Sequence, residues 1–404
     1  MTFPRIHTHY YYYYGFRYIY TCNYQHHGPC ERSFTPMKLE FEKSELVKGV
    51  SIVQKAVSVR TTMNILECIL IDASESSILF TGNDLDLGIQ TKVEGVILEK
   101  GRVAIDAKLF SEYVKKVPDG KITIETTQDD LCVISCGNNK CEIQGMPADE
   151  FSYIPEVEKV NSITLSQFEL KELINQTIFS IAMNDATPMM TGELFELKDK
   201  VLRVIALDSH RIALRKVTIE DKDEGVYAII PGKSLKEIAG ILSADTEEKV
   251  ELYFTEKHVL FEFDNTKVVS RLFEGTYFNV NQMFSTDSET RIKVNRVSLI
   301  ESIERTMIFI KETDKRPVIF DITDTGLKLF VKSTMGRGEE NLEIQKEGAD
   351  LKIGFNPKFL TDALKVISDE TVTLSFVNSK SPCFIKDDED TYLYLILPVN
   401  FTED

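Results

Sequence analysis

The sequence predicts an α+β fold made of three tandem copies of one unit, each with two helices packed on antiparallel sheets. Three observations carry that expectation. A strand-like triplet followed by a helix-period stretch recurs at Leu39-Glu40-Phe41, Ile163-Thr164-Leu165 and Ile292-Lys293-Val294. A lysine that opens an amphipathic helix recurs at Lys108, Lys233 and Lys358, 125 residues apart each time. Each of those helices leads into a run of strict alternation, the pattern of a strand with one buried and one solvated face. Self-similarity at a fixed period marks a repeated structural unit.

In the first copy, residues 44–59 read as a helix, 109–117 as a second helix and Lys121-Ile-Thr-Ile-Glu as a strand. The second copy places its helices at 167–182 and 235–242 and its strand at Lys249-Val-Glu-Leu-Tyr. The third places them at 297–310 and 359–367, with the strand Thr371-Val-Thr-Leu-Ser. Leu46, Leu170 and Leu299 hold the same place in the first helix of each copy. Polar stretches at 155–162 and 286–290 set boundaries at 37–160, 161–287 and 288–404. Strands outnumber helices in such a unit, so antiparallel sheets with helices on one face are expected.

Residues 1–36 do not share this pattern. They hold eight of the fifteen tyrosines, including Tyr10 to Tyr14, and no helical or strand period. His7, His9, Cys22, His26, His27 and Cys30 fit no compact zinc spacing, so the segment reads as a disordered leader, a translated upstream region or an expression leader.

Charge and composition exclude several functions. At 404 residues, 43% hydrophobic and 27% charged, the chain reads as a soluble globular protein with a real core. No apolar run is long enough for a membrane span. Seven cysteines form no disulfide scaffold and point to a reducing compartment. A net charge of −17 excludes a protein that coats DNA through overall basicity. The six helical segments nevertheless sum to +6, while the body outside them carries −25. Such a chain can present its helices to a polyanion and repel one elsewhere.

Motifs that imitate active sites do not hold up. Pro231-Gly232-Lys233-Ser234 lacks the glycine of a phosphate loop, because Tyr227 stands at that position, and reads instead as a helix start. Cys132, Cys136 and Cys141 lack paired metal spacing and read as strand cysteines. Asp84 and Asp86 alternate with Leu85 and Leu87 as the solvated side of a strand. Asp208 with His210 lacks a nucleophile motif, and His258 stands alone in a strand. No cofactor, metal or catalytic set emerges.

Residues 37–404 resemble the bacterial sliding clamp, the beta subunit of DNA polymerase III. The segments that carry the resemblance are Thr62-Met-Asn-Ile-Leu-Glu-Cys-Ile-Leu-Ile, Thr81-Gly-Asn-Asp-Leu-Asp-Leu, Ala206-Leu-Asp-Ser-His-Arg-Ile-Ala and Leu395-Ile-Leu-Pro-Val. Asn64, Ser209, the pair Phe278-Asn279 and Asn400 depart from the family's usual Pro, Gly, Pro-Asp-like pair and Arg. The resemblance implies three DNA-clamp domains per chain and a head-to-tail homodimer closed into a ring around duplex DNA. It implies no catalysis and no cofactor. Expected partners are DNA polymerase III, the clamp loader, repair polymerases, ligase and mismatch-repair proteins, at the nucleoid in the cytoplasm.

The same resemblance implies the sites. A hydrophobic pocket for partner peptides is expected from Met190, Leu207, Ser209, His210, Arg211, Ile212, Phe278, Met283, Leu395, Leu397, Pro398 and Val399. The dimer join is expected to bring Cys141 and Ile143, on an edge strand, against Phe309 and Ile310. Arg60, Lys108, Lys115, Lys116, Lys233, Arg296, Lys358 and Lys365 form the basic helical set expected to meet phosphates without reading bases. A repeat scaffold that never encloses nucleic acid, and an enzyme built on Asp208 and His210, are the alternatives. The basic helices disfavour the first, and the missing nucleophile, metal and cofactor motifs disfavour the second.

Overall fold

The computed structural model describes residues 36–58, 61–160, 162–183, 187–219, 225–284, 288–311 and 316–401. The expected leader and Arg60 lie outside the described residues, apart from Pro36. Among the described residues the α-helices are α1 (Lys43–Val53), α2 (Ala107–Lys116), α3 (Gln167–Asn175), α4 (Gly232–Ala239), α5 (Arg296–Met307) and α6 (Pro357–Val366). They pack as successive pairs, two per unit. Polar side chains fix where several of them start. Asp106, Asn295 and Asn356 each accept a backbone N–H of the first turn, and Ser166 with Glu169 forms a reciprocal capping box.

The first helix of each unit is shorter than its apolar period predicts. α1 tightens into the 3₁₀ turn Gln54–Ala56, and α5 stops at Met307. α3 stops at Asn175 because Thr177 takes over its end: the hydroxyl reaches the carbonyls of Leu173 at 2.7 Å and Ile174 at 3.3 Å, and the buried Glu193 carboxyl at 2.9 Å. Past α1 and α3, Ala56 and Ile181 still pack inward, so the period runs on after those helices have ended.

The strands form a thirteen-stranded sheet through the first and second units, a nine-stranded sheet through the second and third, and a four-stranded sheet in the third. Two antiparallel pairings join the units. Leu87–Val93 pairs with Thr266–Arg271, and Arg211–Thr218 pairs with Tyr392–Ile396. Their registers are equivalent, since Leu87 opposes Ser270 and Arg211 opposes Ile396, each displaced by one repeat. Helices cover one face of this sheet system. Leu46, Phe80, Phe110, Leu170, Leu235 and Phe261 fill the core under α1 to α4, and Leu299, Phe320, Phe355 and Leu360 fill that under α5 and α6. Burying each such side chain contributes roughly 1.5–3 kcal/mol, which holds the helices to the sheets.

Two local expectations are settled here. Asp84 and Asp86 are not on a strand: Leu85 takes φ 77°, and Asp84 Oδ1 accepts the N–H groups of Asp86 and Leu87 in a tight turn. Cys132 and Cys136 are buried on a strand, and burial pushes the Cys132 thiol up to about 12.

Candidate nucleic-acid interface, subunit edges and partner pocket

Lys108, Lys233 and Lys358 occupy the first turn of α2, α4 and α6, and all three are exposed. Their surroundings differ. Lys233 reaches Asp84 of the first unit at 2.5 Å, and Lys358 pairs with Asp362 one turn on at 2.8 Å. Lys108 makes no ion pair among the described residues. Lys115 and Lys116 project from the last turn of α2, and Lys365 pairs with Glu304 at 2.7 Å. Arg296 is turned inward instead. Its guanidinium donates to the carbonyls of Asp369 at 2.8 Å and Leu364 at 3.3 Å, closing the end of α6. A guanidinium held this way has little freedom to meet a phosphate.

Two of the strand edges that lack a neighbour over much of their length, among the described residues, lie in the first and third units. Gly336–Leu342 pairs only with Gly326–Ser333 and ends its sheet. Asn139–Met146 pairs with Leu131–Cys136, but its other side meets a neighbour only at Gly145 and Met146. Ile143 is buried and Cys141 half-buried on that edge. Phe309 lies over Gly336 and Gly338, where a Cβ at Gly338 would sit 2.7 Å from its ring. A side chain at Gly338 would clash with that ring, and one at Gly336 would crowd it at 3.2 Å. Ile310 is half-buried, and Ile308 is 69% exposed. The sequence reading missed Ile308, although its place just past α5 between two inward-packed turns was the available signal. It also missed the charges that alternate along these edges. Lys140 pairs with Glu142 at 2.7 Å, and Arg337 pairs with Glu339.

At the joint of the second and third units, the sheet face away from the helices carries a separate apolar cluster. Leu207, Ile212 and Leu395 are buried in it with Tyr277, Val280 and Phe384, and Met190 packs on its margin. Phe278, Met283 and Leu397 are exposed around it, at 48%, 44% and 38%. Ser209 and His210 are exposed on the neighbouring turn. The tail is tied down by two backbone bonds, from Leu397 N–H to the His210 carbonyl at 2.9 Å and from Val399 N–H to the Gly354 carbonyl at 2.8 Å. Pro398 between them has no N–H to leave unsatisfied.

Arg211 belongs to the other face. It is 8% exposed, donates to Asp208 at 3.2 Å, Asp362 at 2.8 Å and the Phe179 carbonyl, and lies 4.4 Å from the centre of the Phe359 ring. It ties α6 to the second unit and does not line the pocket mouth. Nearby, burial holds the Glu193 carboxyl well above the usual carboxylate range, against the pull of the Thr177 hydroxyl and of Lys236. Among the described residues no group of three or more His, Cys, Asp and Glu is placed to hold a metal. No helix among them is long and apolar enough to cross a membrane.

Family models of the DNA polymerase III beta subunit match in order. The N-terminal domain covers residues 37–155, the central domain 164–279 and the C-terminal domain 281–400. The chain belongs to the DNA polymerase III beta subunit family. It is 35% identical over 376 residues to the beta sliding clamp of Bacillus subtilis, covering 90% of this chain and 99% of that protein. A putative DNA polymerase III beta subunit from Eubacterium rectale superposes with TM-score 0.87 at 52% identity, covering 90% of this chain and 99% of the other. A clamp from Pseudomonas aeruginosa bound to griselimycin, at 23% identity and TM-score 0.84 over 90% of this chain and all of its own, shares the fold. The protein is thus three tandem clamp domains acting as a DNA polymerase processivity factor, not an enzyme.

Proposed function

We propose that two chains close head to tail into a ring around duplex DNA. The observation that carries this is the register of the internal joints. The strands joined within the chain are Leu87–Val93 with Thr266–Arg271, and Arg211–Thr218 with Tyr392–Ile396. Their counterparts by repeat are Gly336–Leu342 in the third domain and Asn139–Met146 in the first, and neither has a full neighbour on its outer side among the described residues. The hairpin pairs Asn83–Gly88, Leu207–Ile212 and Lys332–Arg337 fix the correspondence. Carried across two chains, the register sets Gly336 against Ile143 and Gly338 against Cys141. Phe309, lying on both glycines, then covers Cys141 and Ile143, with Ile310 and Ile308 beside it. On the outer face Arg337 meets Glu142 and Glu339 meets Lys140, so each charge finds its opposite. Cross-strand pairs of this kind contribute about 0.2–1 kcal/mol each, and closure covers edges that otherwise invite aggregation.

The helices line the hole of that ring. Lys115, Lys116, Lys233 and Lys358 meet phosphates through weak, screened contacts, and Lys108 stands at the inter-chain joint. Topology supplies residence on DNA, so tight phosphate binding is unnecessary and would slow sliding. The outer cluster of Leu207, Ile212 and Leu395, with Met190, Phe278, Met283 and Leu397 around it, takes a short partner peptide with glutamine and Leu/Phe anchors. By that route the clamp holds DNA polymerase III, the clamp loader and repair enzymes in the cytoplasm, at the nucleoid.

The test combines sedimentation with retention on nicked circular DNA. The wild type should have the mass of two chains and leave DNA once it is linearised. Arg337→Glu with Glu339→Lys should give folded monomers that are not retained. Adding Lys140→Glu and Glu142→Lys should restore the dimer. Failure of that restoration, with both variants folded, would refute the register.

A further inference from the structure

The sheet face away from the helices carries one unbroken row of directly opposed residues: Leu207, Ile212, Leu395, Phe384, Ser375 and Arg291. The first four are the floor of the partner pocket or its buried continuation. The last two line a separate cavity of about 630 Å³, whose apolar wall is Leu214, Leu393 and Phe384. This cavity has the chemistry of an anion site. Ser375 is 5% exposed, and its hydroxyl is buried without a hydrogen-bond partner. Arg203 lines the same space. Its end groups hold Glu196 and Asn281, but its buried Nε–H has no acceptor. Buried donors left unpaired are costly and seldom persist without a ligand or water to satisfy them. Arg291 and Lys386 line the cavity with no ion pair among the described residues. Of the carboxylates around it, Asp390 is held by Lys216, Asp199 lines the cavity, and Glu347 opposes Arg291 on the next strand, with Asp387 and Asp388 on the far side of Arg291 and Lys386.

We propose that this cavity is a second anchoring site for the partner peptide and takes an acidic side chain beyond the apolar anchors. The inference rests on the reading of the neighbouring cluster as the peptide pocket. Directly opposed residues lie about 5 Å apart, so Leu395 to Arg291 spans roughly 15 Å. An extended peptide advances about 3.3 Å per residue, which places the carboxylate about four or five residues from the anchor. There Ser375 and the Arg203 Nε–H donate to it, and Arg291 and Lys386 supply the compensating charge. DNA in the ring does not reach this face, because the helices lie on the other side of the sheet.

Calorimetry with three synthetic peptides tests this. One carries the glutamine and Leu/Phe anchors alone. The second adds two glutamates four and five residues away, made on either side in turn. The third has glutamines in their place. The glutamates, on one side, should tighten binding about tenfold at low salt, and the glutamines should not. Arg291→Gln with Lys386→Gln, and separately Ser375→Ala, should reduce that gain without changing affinity for the anchor-only peptide. Equal affinity of the glutamate and glutamine peptides overturns the second site and leaves the pocket intact. A gain that survives the Arg291/Lys386 double substitution also overturns it. An anchor-only peptide that fails to bind overturns the pocket reading, and this inference with it.

Discussion

The joints between the first and second domains and between the second and third share a backbone pattern but are closed on their helical side by different chemistry. Asp84 and Asp208 are equivalent, and each accepts the N–H groups two and three residues on. The residue that follows is Leu87 in one joint and Arg211 in the other. Leu87 is buried in the core, Asp84 turns to the exposed Lys233, and a cavity of about 740 Å³ opens against the start of α4. In the other joint the Arg211 guanidinium is held by Asp208 and Asp362 and lies against the Phe359 ring. The helix residues that answer are equivalent too: Glu237 pairs with Lys55 at 2.9 Å, whereas Asp362 holds both Arg211 and Lys358. One joint is closed by packing with two ion pairs at its margin, the other by a buried charge network. The network closes the joint whose outer face carries the proposed pocket, and it fixes the strand that presents Ile212.

The largest effect should come from giving the second joint the residue of the first. Arg211→Leu leaves Asp208 and Asp362 without their guanidinium and should cost about 3–5 kcal/mol of stability in urea unfolding. A loss below about 1 kcal/mol would mean that the joint is held by packing alone. Leu87→Ala should cost about 2 kcal/mol, at the low end for a buried leucine, because the adjoining cavity already denies that side chain some contacts. A third change probes the segment between the joints, where Thr177 bonds Glu193 and the next turn supplies the Phe179 carbonyl to Arg211. The folded Glu193 carboxyl titrates above its unfolded value, so its contribution is full below the unfolded value near 4.5 and is lost as pH rises toward the folded one. Glu193→Gln should therefore match the wild type at acid pH and gain on it steadily from about pH 5 upward in thermal melts. A stability difference independent of pH would contradict a carboxyl held above its ordinary range by burial. The smallest effect is expected from Lys233→Ala, at most about 0.5 kcal/mol, since its ammonium is largely exposed and screened. Measurement in high salt should shrink even that.

The repeat made much of this architecture readable. The spacing of Lys108, Lys233 and Lys358 located the start of all three second helices, and alternation located the strands that follow them. The ends of α1, α3 and α5 were not readable, because apolar residues past each end keep the helical period while a 3₁₀ turn or the Thr177 hydroxyl has already closed the helix. Arg211 was expected, by resemblance, among the pocket residues, and nothing in the sequence marked it as the tie that holds the joint. Its partners Phe179, Asp208 and Asp362 come from two domains, and no local pattern marks them.

The sequence by itself determined that three similar units exist and that their helices are relatively basic. These follow from composition and from the 3.6- and 2-residue periods that a backbone imposes on any buried face. The tertiary structure alone decided which lysines are committed to carboxylates and which edges are left open. It alone lined up Leu207, Ile212, Leu395, Phe384, Ser375 and Arg291 across six strands. Such a row depends on the register between strands more than a hundred residues apart, and register is set by long-range packing that the chain reaches only when folded.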